Sequence, residues 1–270
     1  MTDAPLGATS GGGSPDARRV TLRSVTHRFD GRGGDVLALD GIDLDIAPGE
    51  LVTVVGPSGC GKTTLLQLVA GFLRPSHGEV LVGGRPVTGP GPDRGVVFQH
   101  PNLFPWLSVR VNVELGLRLA GRPKGERREV ADRYLELVGL ADFADAAPYE
   151  LSGGMQQRCQ IARALAIDAS ILLLDEPFGA LDAITRDRLQ DELRRIWEQT
   201  GKTAIFITHS VEEAVYLGTR VLVLSARPGR VVLDLPVPFA DEPHSPELRT
   251  SPELVDLRRQ VSEHLLHGAS

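Results

Sequence analysis

Apolar positions along this chain recur first with a period of two, then with a helical period, and then in short unbroken runs. Val20, Leu22 and Val25 predict a strand running toward Phe29 and a Gly-rich turn over residues 31–34. Leu39, Ile42, Leu44 and Ile46 fall mostly on alternate positions and predict a second strand over 37–46, closed by the turn signal Pro48-Gly49. Residues 51–55 are β-branched and almost wholly apolar, as in a strand buried on both faces. A Gly-rich loop follows, and then a helix is expected over 64–70. The stretch from about 101 to 166 is mostly helical in pattern. Val130, Tyr134, Leu137 and Val138 mark a helix over 126–138, and Cys159, Ile161, Ala162 and Leu165 one over 156–167. Further buried strands are expected over 171–174 and 203–208, with an amphipathic helix over 186–199 between them. A helix over 211–217, strands over 221–224 and 231–233, and a Pro-rich tail that turns helical from about 252 complete the chain. Strands alternating with helices predict an α/β fold with a mostly parallel sheet, and no internal repeat is found.

The chain has 270 residues, between one large and two small domains, and long enough to bury a sizeable core. Lys and Arg total 29 against 35 Asp and Glu, a net charge of -6, which argues against bulk electrostatic attraction to nucleic acid or anionic lipid. No apolar run approaches the roughly 20 residues needed to cross a bilayer. Residues 1–18 hold little to bury and read as a disordered leader without the basic start and apolar stretch of a secretory signal. Cys60 and Cys159 alone make neither a disulfide framework nor a zinc site, and a cytosolic, reducing setting is the simplest reading. His264 and His267 stand at i, i+3 in the tail helix, but with no further ligand cluster they read as surface positions.

The loop after the 51–55 strand carries chemistry. Gly56-Pro57-Ser58-Gly59-Cys60-Gly61-Lys62-Thr63, followed by Thr64, fits G-x-x-x-x-G-K-[ST] in its required context, a buried strand before and a helix after. Its glycines let backbone N–H groups turn inward onto phosphate oxygens, and the helix N-terminus adds positive potential. Lys62 reaches the β- and γ-phosphates of a nucleotide, and the Thr63 hydroxyl is suited to ligate Mg²⁺. Cys60, at a free position of the motif, reads as structural. The 171–174 strand ends in Asp175-Glu176-Pro177. Strand ends are where an open α/β sheet binds ligand, so Asp175 is a candidate to help hold Mg²⁺ and Glu176 a candidate general base for the attacking water.

Leu151-Ser152-Gly153-Gly154-Met155-Gln156-Gln157-Arg158 precedes the 156–167 helix and offers a second anion site of a hydroxyl, Gly amides and a helix N-terminus. Lying between the phosphate loop and Asp175-Glu176, this LSGG string makes the chain resemble the ATP-binding-cassette ATPases over about residues 20–235. The resemblance implies a P-loop NTPase fold: a RecA-like core with a β-subdomain and an inserted helical subdomain. The expected organisation is a leader over 1–18, an ATPase domain over 19–235 with the helical insertion at about 100–166, and a C-terminal extension with a terminal helix over 236–270. It also implies that Gln99 senses Mg²⁺ and the transport partner, that Asp182 speaks across a dimer, that His209 contacts the γ-phosphate, and that Phe29 stacks on adenine; a packing role for Phe29 stays open. Ser152, Gly153 and Gly154 of one subunit would cover the ATP held by the other, so the chain is expected to pair with a second copy. Met155 and Ser210 depart from the residues many members carry at those positions.

With no membrane span of its own, a transport ATPase of this kind would act at the cytoplasmic face of the membrane through two permease subunits, served indirectly by a substrate-binding protein. Leu103, Phe104 and Trp106 follow Gln99 as an apolar patch that suits a permease helix or ordinary packing. Residues 89–99, Leu103-Phe104-Pro105-Trp106, residues 175–182 and Glu212-Glu213-Ala214-Val215-Tyr216 look like the nitrate/sulfonate/taurine importer branch. That resemblance ranks taurine first, other alkanesulfonates next, and then nitrate or a pyrimidine-like nutrient. The rival class, a soluble cassette ATPase of translation or DNA repair, usually carries two cassettes, coiled-coil or zinc insertions. One cassette, no heptad run and an acidic balance speak against it, and no nucleic-acid partner is expected.

Overall fold

Strand β3 (Leu51–Val55) is buried at all five positions, as its unbroken apolar run requires. It follows β1 (Val20–Phe29) and β2 (Val36–Ile46), two alternating strands that pair antiparallel with register shifts near Val25 and His27. The computed structural model describes residues 15–31, 34–240 and 246–267. Residues 1–14 of the expected leader and 32–33 of the Gly-rich turn lie outside them; Pro15–Arg18 form a short 3-10 turn. Helix α1 (Lys62–Ala70) leaves the phosphate loop, and β4 (His77–Val82) and the two-residue β5 (Arg85–Pro86) complete an antiparallel sheet in the order β2-β1-β4-β5.

Next come β6 (Arg94–Val97), α2 (Val109–Leu119), α3 (Lys124–Leu137), α4 (Gly153–Ala166), β7 (Ile171–Asp175) and α5 (Ala183–Thr200). The chain then forms β8 (Thr203–Ile207), α6 (Val211–Leu217), β9 (Arg220–Leu224), β10 (Val231–Pro236) and α7 (Pro252–His267). Two compact units emerge, one from the described residues up to Gly91 together with those from Leu193 on, the other Pro92–Glu192.

In the first unit β3 pairs parallel with β8 on one side and β9 on the other, and β10 closes antiparallel on β9. Its core is aliphatic and aromatic, with Val54, Ile205, Phe206, Ile207, Val215 and Leu222 all without exposed surface. Helix α6 is pinned to β3 by Thr53, whose buried hydroxyl donates to the Ala214 carbonyl at 3.0 Å. Helix α7 packs on α6 through Leu254, Leu257 and Val261, and the Arg249 guanidinium lies 3.7 Å from the centre of the Tyr216 ring. In the second unit β6 and β7 pair parallel, while α2, α3 and α4 pack on one another around Val113, Leu135, Cys159 and Ala162.

The expected elements form, with shifts that have local causes. Helix α1 starts at Lys62 because Gly61, at φ 103°, is its N-cap. Helix α4 starts at Gly153, three residues before the expected start, because the Ser152 hydroxyl accepts the Met155 N–H at 3.3 Å and caps it there. Strands β4 to β6, which the pattern reading does not contain, are short, and glycines interrupt β4 and β6.

Candidate functional site

The phosphate loop hangs from the end of β3. Gly61 takes φ 103°, and a Cβ there would come within 2.9 Å of the Ala38 carbonyl oxygen and 2.7 Å of Leu39, so both conformation and space demand glycine. Gly59 also has positive φ and faces open space, whereas Gly56 packs against Cys60 and Leu224. Ser58 and Thr63 are exposed, and Thr64 is buried. Lys62 is only 5% exposed; its Nζ donates to the carbonyls of Gly56 at 2.8 Å and Pro57 at 3.0 Å, so the loop itself holds the ammonium group. Cys60 is buried, and burial pushes its thiol pKa up, partly offset by the nearby Lys62 charge.

Two other candidates lie in this first unit. Phe29, at the end of β1, is 40% exposed and meets His27 edge to face at 4.5 Å, so its ring is neither core nor fully free. The ring of His27 is held in turn by the Arg74 carbonyl at 3.0 Å. His209 is exposed on the turn between β8 and α6.

The second unit brings Gln99 and Glu176 together: the Gln99 Nε2 donates to Glu176 Oε2 at 3.0 Å. Asp175, the last residue of β7, is buried, and Glu176 directly after it has φ 47°. A non-glycine residue in the left-handed region costs about 1–3 kcal/mol and is maintained by its surroundings. Here the turn closes through the Gly179 N–H to the Glu176 carbonyl at 3.2 Å, which aims the carboxylate at Gln99.

Ser152 caps α4, Gly153 has open space where a Cβ would stand, and a Cβ on Gly154 would come within 3.3 Å of the Ala180 carbonyl. Asp182 follows that segment and caps α5, accepting the Thr185 N–H at 3.0 Å; this bond holds its carboxyl below the ordinary carboxylate pKa. Helix α4 also grips the segment around Gln99. Gln160 donates to the Phe98 carbonyl at 2.6 Å and accepts the Asn102 N–H at 2.9 Å, Gln157 donates to the same Phe98 carbonyl at 3.4 Å, and Arg163 donates to the Asn102 carbonyl at 2.7 Å. Spaced at i, i+3 and i+6, they form a polar stripe on one helix face, which sequence reasoning did not single out.

Beyond Asn102, Trp106 is 76% exposed and tilted against Phe104 at 5.6 Å, and Arg163 sits 5.7 Å above the Phe104 ring. The loop is shaped by Asn112, fully buried, whose side chain bonds the Phe104 N–H and the carbonyls of Phe104, Leu107 and Ser108. Asn112 was also missed, because an asparagine inside a helix pattern carries no signal for this role. At α7, the His264 Nδ1 pairs with the Gln260 carbonyl at 2.9 Å, and the His267 side chain lies outside the described residues.

A phosphate-binding loop between a buried parallel strand and a helix defines an α/β P-loop nucleotide-binding protein. A protein-family model described as ABC transporter matches residues 39–179. An ATP-binding protein of Brucella abortus is 55% identical over 92% of this chain and 94% of its own. The taurine import ATP-binding protein TauB of Roseobacter denitrificans is 48% identical over 90% of this chain and 92% of its own. Among solved structures, the dimeric post-hydrolysis state of the ATP-binding cassette MJ0796, bound to ADP and Pi, superimposes with a TM-score of 0.75 at 35% identity, covering 81% of this chain and 98% of that one. The chain belongs to the ABC transporter family and is an ATP-binding-cassette ATPase. The fold and family expected from the phosphate loop and the LSGG string are thereby borne out.

Proposed function

We propose that this chain energises an importer of taurine or a related alkanesulfonate, hydrolysing ATP for a permease made of other chains. The observation that carries the substrate class is the 48% identity to the taurine import ATP-binding protein TauB over nine-tenths of both chains. Among the described residues no helix is long and apolar enough to cross a membrane, in keeping with a separate permease. In this reading the ATPase works as a homodimer beside two permease subunits and a substrate-binding protein, at the cytoplasmic face of the membrane. Ser152, Gly153 and Gly154 of one copy close over the nucleotide of the other, and Asp182 lies on the same dimer face. Trp106, apolar and exposed, and the half-buried Phe104 against it seat a permease helix.

Lys62 exchanges its bonds to the loop carbonyls for β- and γ-phosphate oxygens, and the backbone N–H groups of residues 58–64 bind the remaining charge. Phe29 stacks on adenine. The Thr63 hydroxyl, Gln99 amide oxygen and Asp175 carboxylate are hard oxygen donors, which fits Mg²⁺. Mg²⁺ bound there neutralises charge developing on the phosphates. Glu176 orients and deprotonates the attacking water, Gln99 reports on its carboxylate from 3.0 Å, and His209 contacts the γ-phosphate. Deleting the gene and supplying single sulfur sources tests the substrate class: growth is lost on taurine or alkanesulfonates and kept on sulfate. Undiminished growth on both sulfonates overturns it, and loss on nitrate as sole nitrogen source reassigns the substrate.

A further inference from the structure

The turn that carries His209 is held by a relay of hydroxyls. Ser210 is the N-cap of α6, and its Oγ accepts the Glu213 N–H at 3.2 Å. In the usual capping box the Glu at this third helical position would reach back to the N-cap N–H. Here the Ser210 N–H donates instead to Thr208 Oγ1 at 3.0 Å, and that hydroxyl donates to Glu213 Oε2 at 2.5 Å. Glu213 therefore acts on the N-cap through Thr208. The two residues that flank His209 are both tied to it, one by its carboxylate and one by its backbone.

This relay does more than end a helix. The Thr208–Ser210 bond closes a ring around the His209 backbone and fixes the peptide planes on either side of it. Thr208 is 3% exposed, and its own N–H donates to the Val54 carbonyl at 3.2 Å, in the strand that runs into the phosphate loop. The other end of the relay is equally anchored, since Thr53 of the same strand holds the Ala214 carbonyl. His209 is exposed, and the two residues that flank it, both held in this relay, fix the backbone that carries it.

We infer that Glu213 is a positioning residue for ATP hydrolysis, holding His209 in register through the Thr208 hydroxyl. This rests on the reading of His209 as the γ-phosphate contact. Glu213 is four residues from His209 and touches no nucleotide in that reading, so its loss should lower turnover without weakening ATP binding. A displacement on the scale of 1 Å costs up to about 10²-fold in rate.

The test measures kcat, KM for ATP and melting temperature of the full-length chain in five forms: parent, Glu213→Ala, Glu213→Gln, Thr208→Val and His209→Ala. Glu213→Ala and Thr208→Val should each lower kcat about tenfold or more with KM within about twofold. Glu213→Gln keeps a carbonyl oxygen that accepts the Thr208 hydroxyl, so it should restore most of the rate. Adding Glu213→Ala to His209→Ala should cause no further loss. A folded Glu213→Ala with parental kcat beside a slow His209→Ala overturns the role of Glu213 alone. A parental rate in His209→Ala overturns the reading of His209 itself. If Glu213→Ala fails to fold, Thr208→Val and Glu213→Gln decide: a fast Thr208→Val or a Gln variant as slow as Thr208→Val overturns the relay.

Discussion

Glu176 is where local preference and function pull apart most clearly. The backbone takes φ 47°, a region that a glutamate occupies only under constraint, and the side chain is delivered to the Gln99 amide at 3.0 Å. The sequence made Asp175-Glu176 legible as an acidic pair ending an apolar strand, but not this conformation, because nothing in a Glu-Pro dipeptide announces positive φ. Cysteine chemistry at the same scale is simpler. Burial raises the Cys60 thiol pKa and pushes that of Cys159 up to about 12, so neither forms appreciable thiolate at neutral pH. Iodoacetamide at pH 7 should therefore label neither thiol in the native chain within the time that labels both in urea. Fast native labelling of Cys60 would show that the phosphate loop opens its buried side to solvent.

At the scale of elements, helix α4 joins the LSGG segment to Gln99. Its first turn carries Gly153 and Gly154, and Gln157, Gln160 and Arg163 on the next two turns hold the backbone of residues 98–102. Replacing Gln160 by Leu leaves the Asn102 N–H without this acceptor and weakens the hold on the Phe98 carbonyl. A lost hydrogen bond costs about 0.5–1.5 kcal/mol, so losing these two in Gln160→Leu should lower stability by about 2 kcal/mol, read as a lower urea midpoint at unchanged slope. A midpoint equal to the parent would mean that the two segments are not joined this way. The apolar period of α4 was readable because Cys159, Ile161, Ala162 and Leu165 recur at helical spacing. Its start was not, because glycines at the first two helical positions oppose helix formation and only the Ser152 cap offsets them. Strand β4 was missed for a related reason: of its six residues only Val80, Leu81 and Val82 are buried, too few for a pattern.

At the scale of the whole molecule, the chemistry was more legible than the architecture. A phosphate loop needs a fixed local spacing whatever surrounds it, so residues 56–64 declared themselves, whereas the antiparallel sheet of β2-β1-β4-β5 depends on pairings between distant residues such as Val20 and Val82. The central claim is that hydrolysis at Glu176 drives solute uptake. It is tested most directly in proteoliposomes holding this chain with its permease and taurine-loaded binding protein, where phosphate release and labelled taurine uptake are recorded together for the parent and for Glu176→Gln. The parent should do both, and the variant should bind ATP while both rates fall by about 10² or more. Parental phosphate release from Glu176→Gln, or hydrolysis by the parent without taurine accumulation, would contradict it.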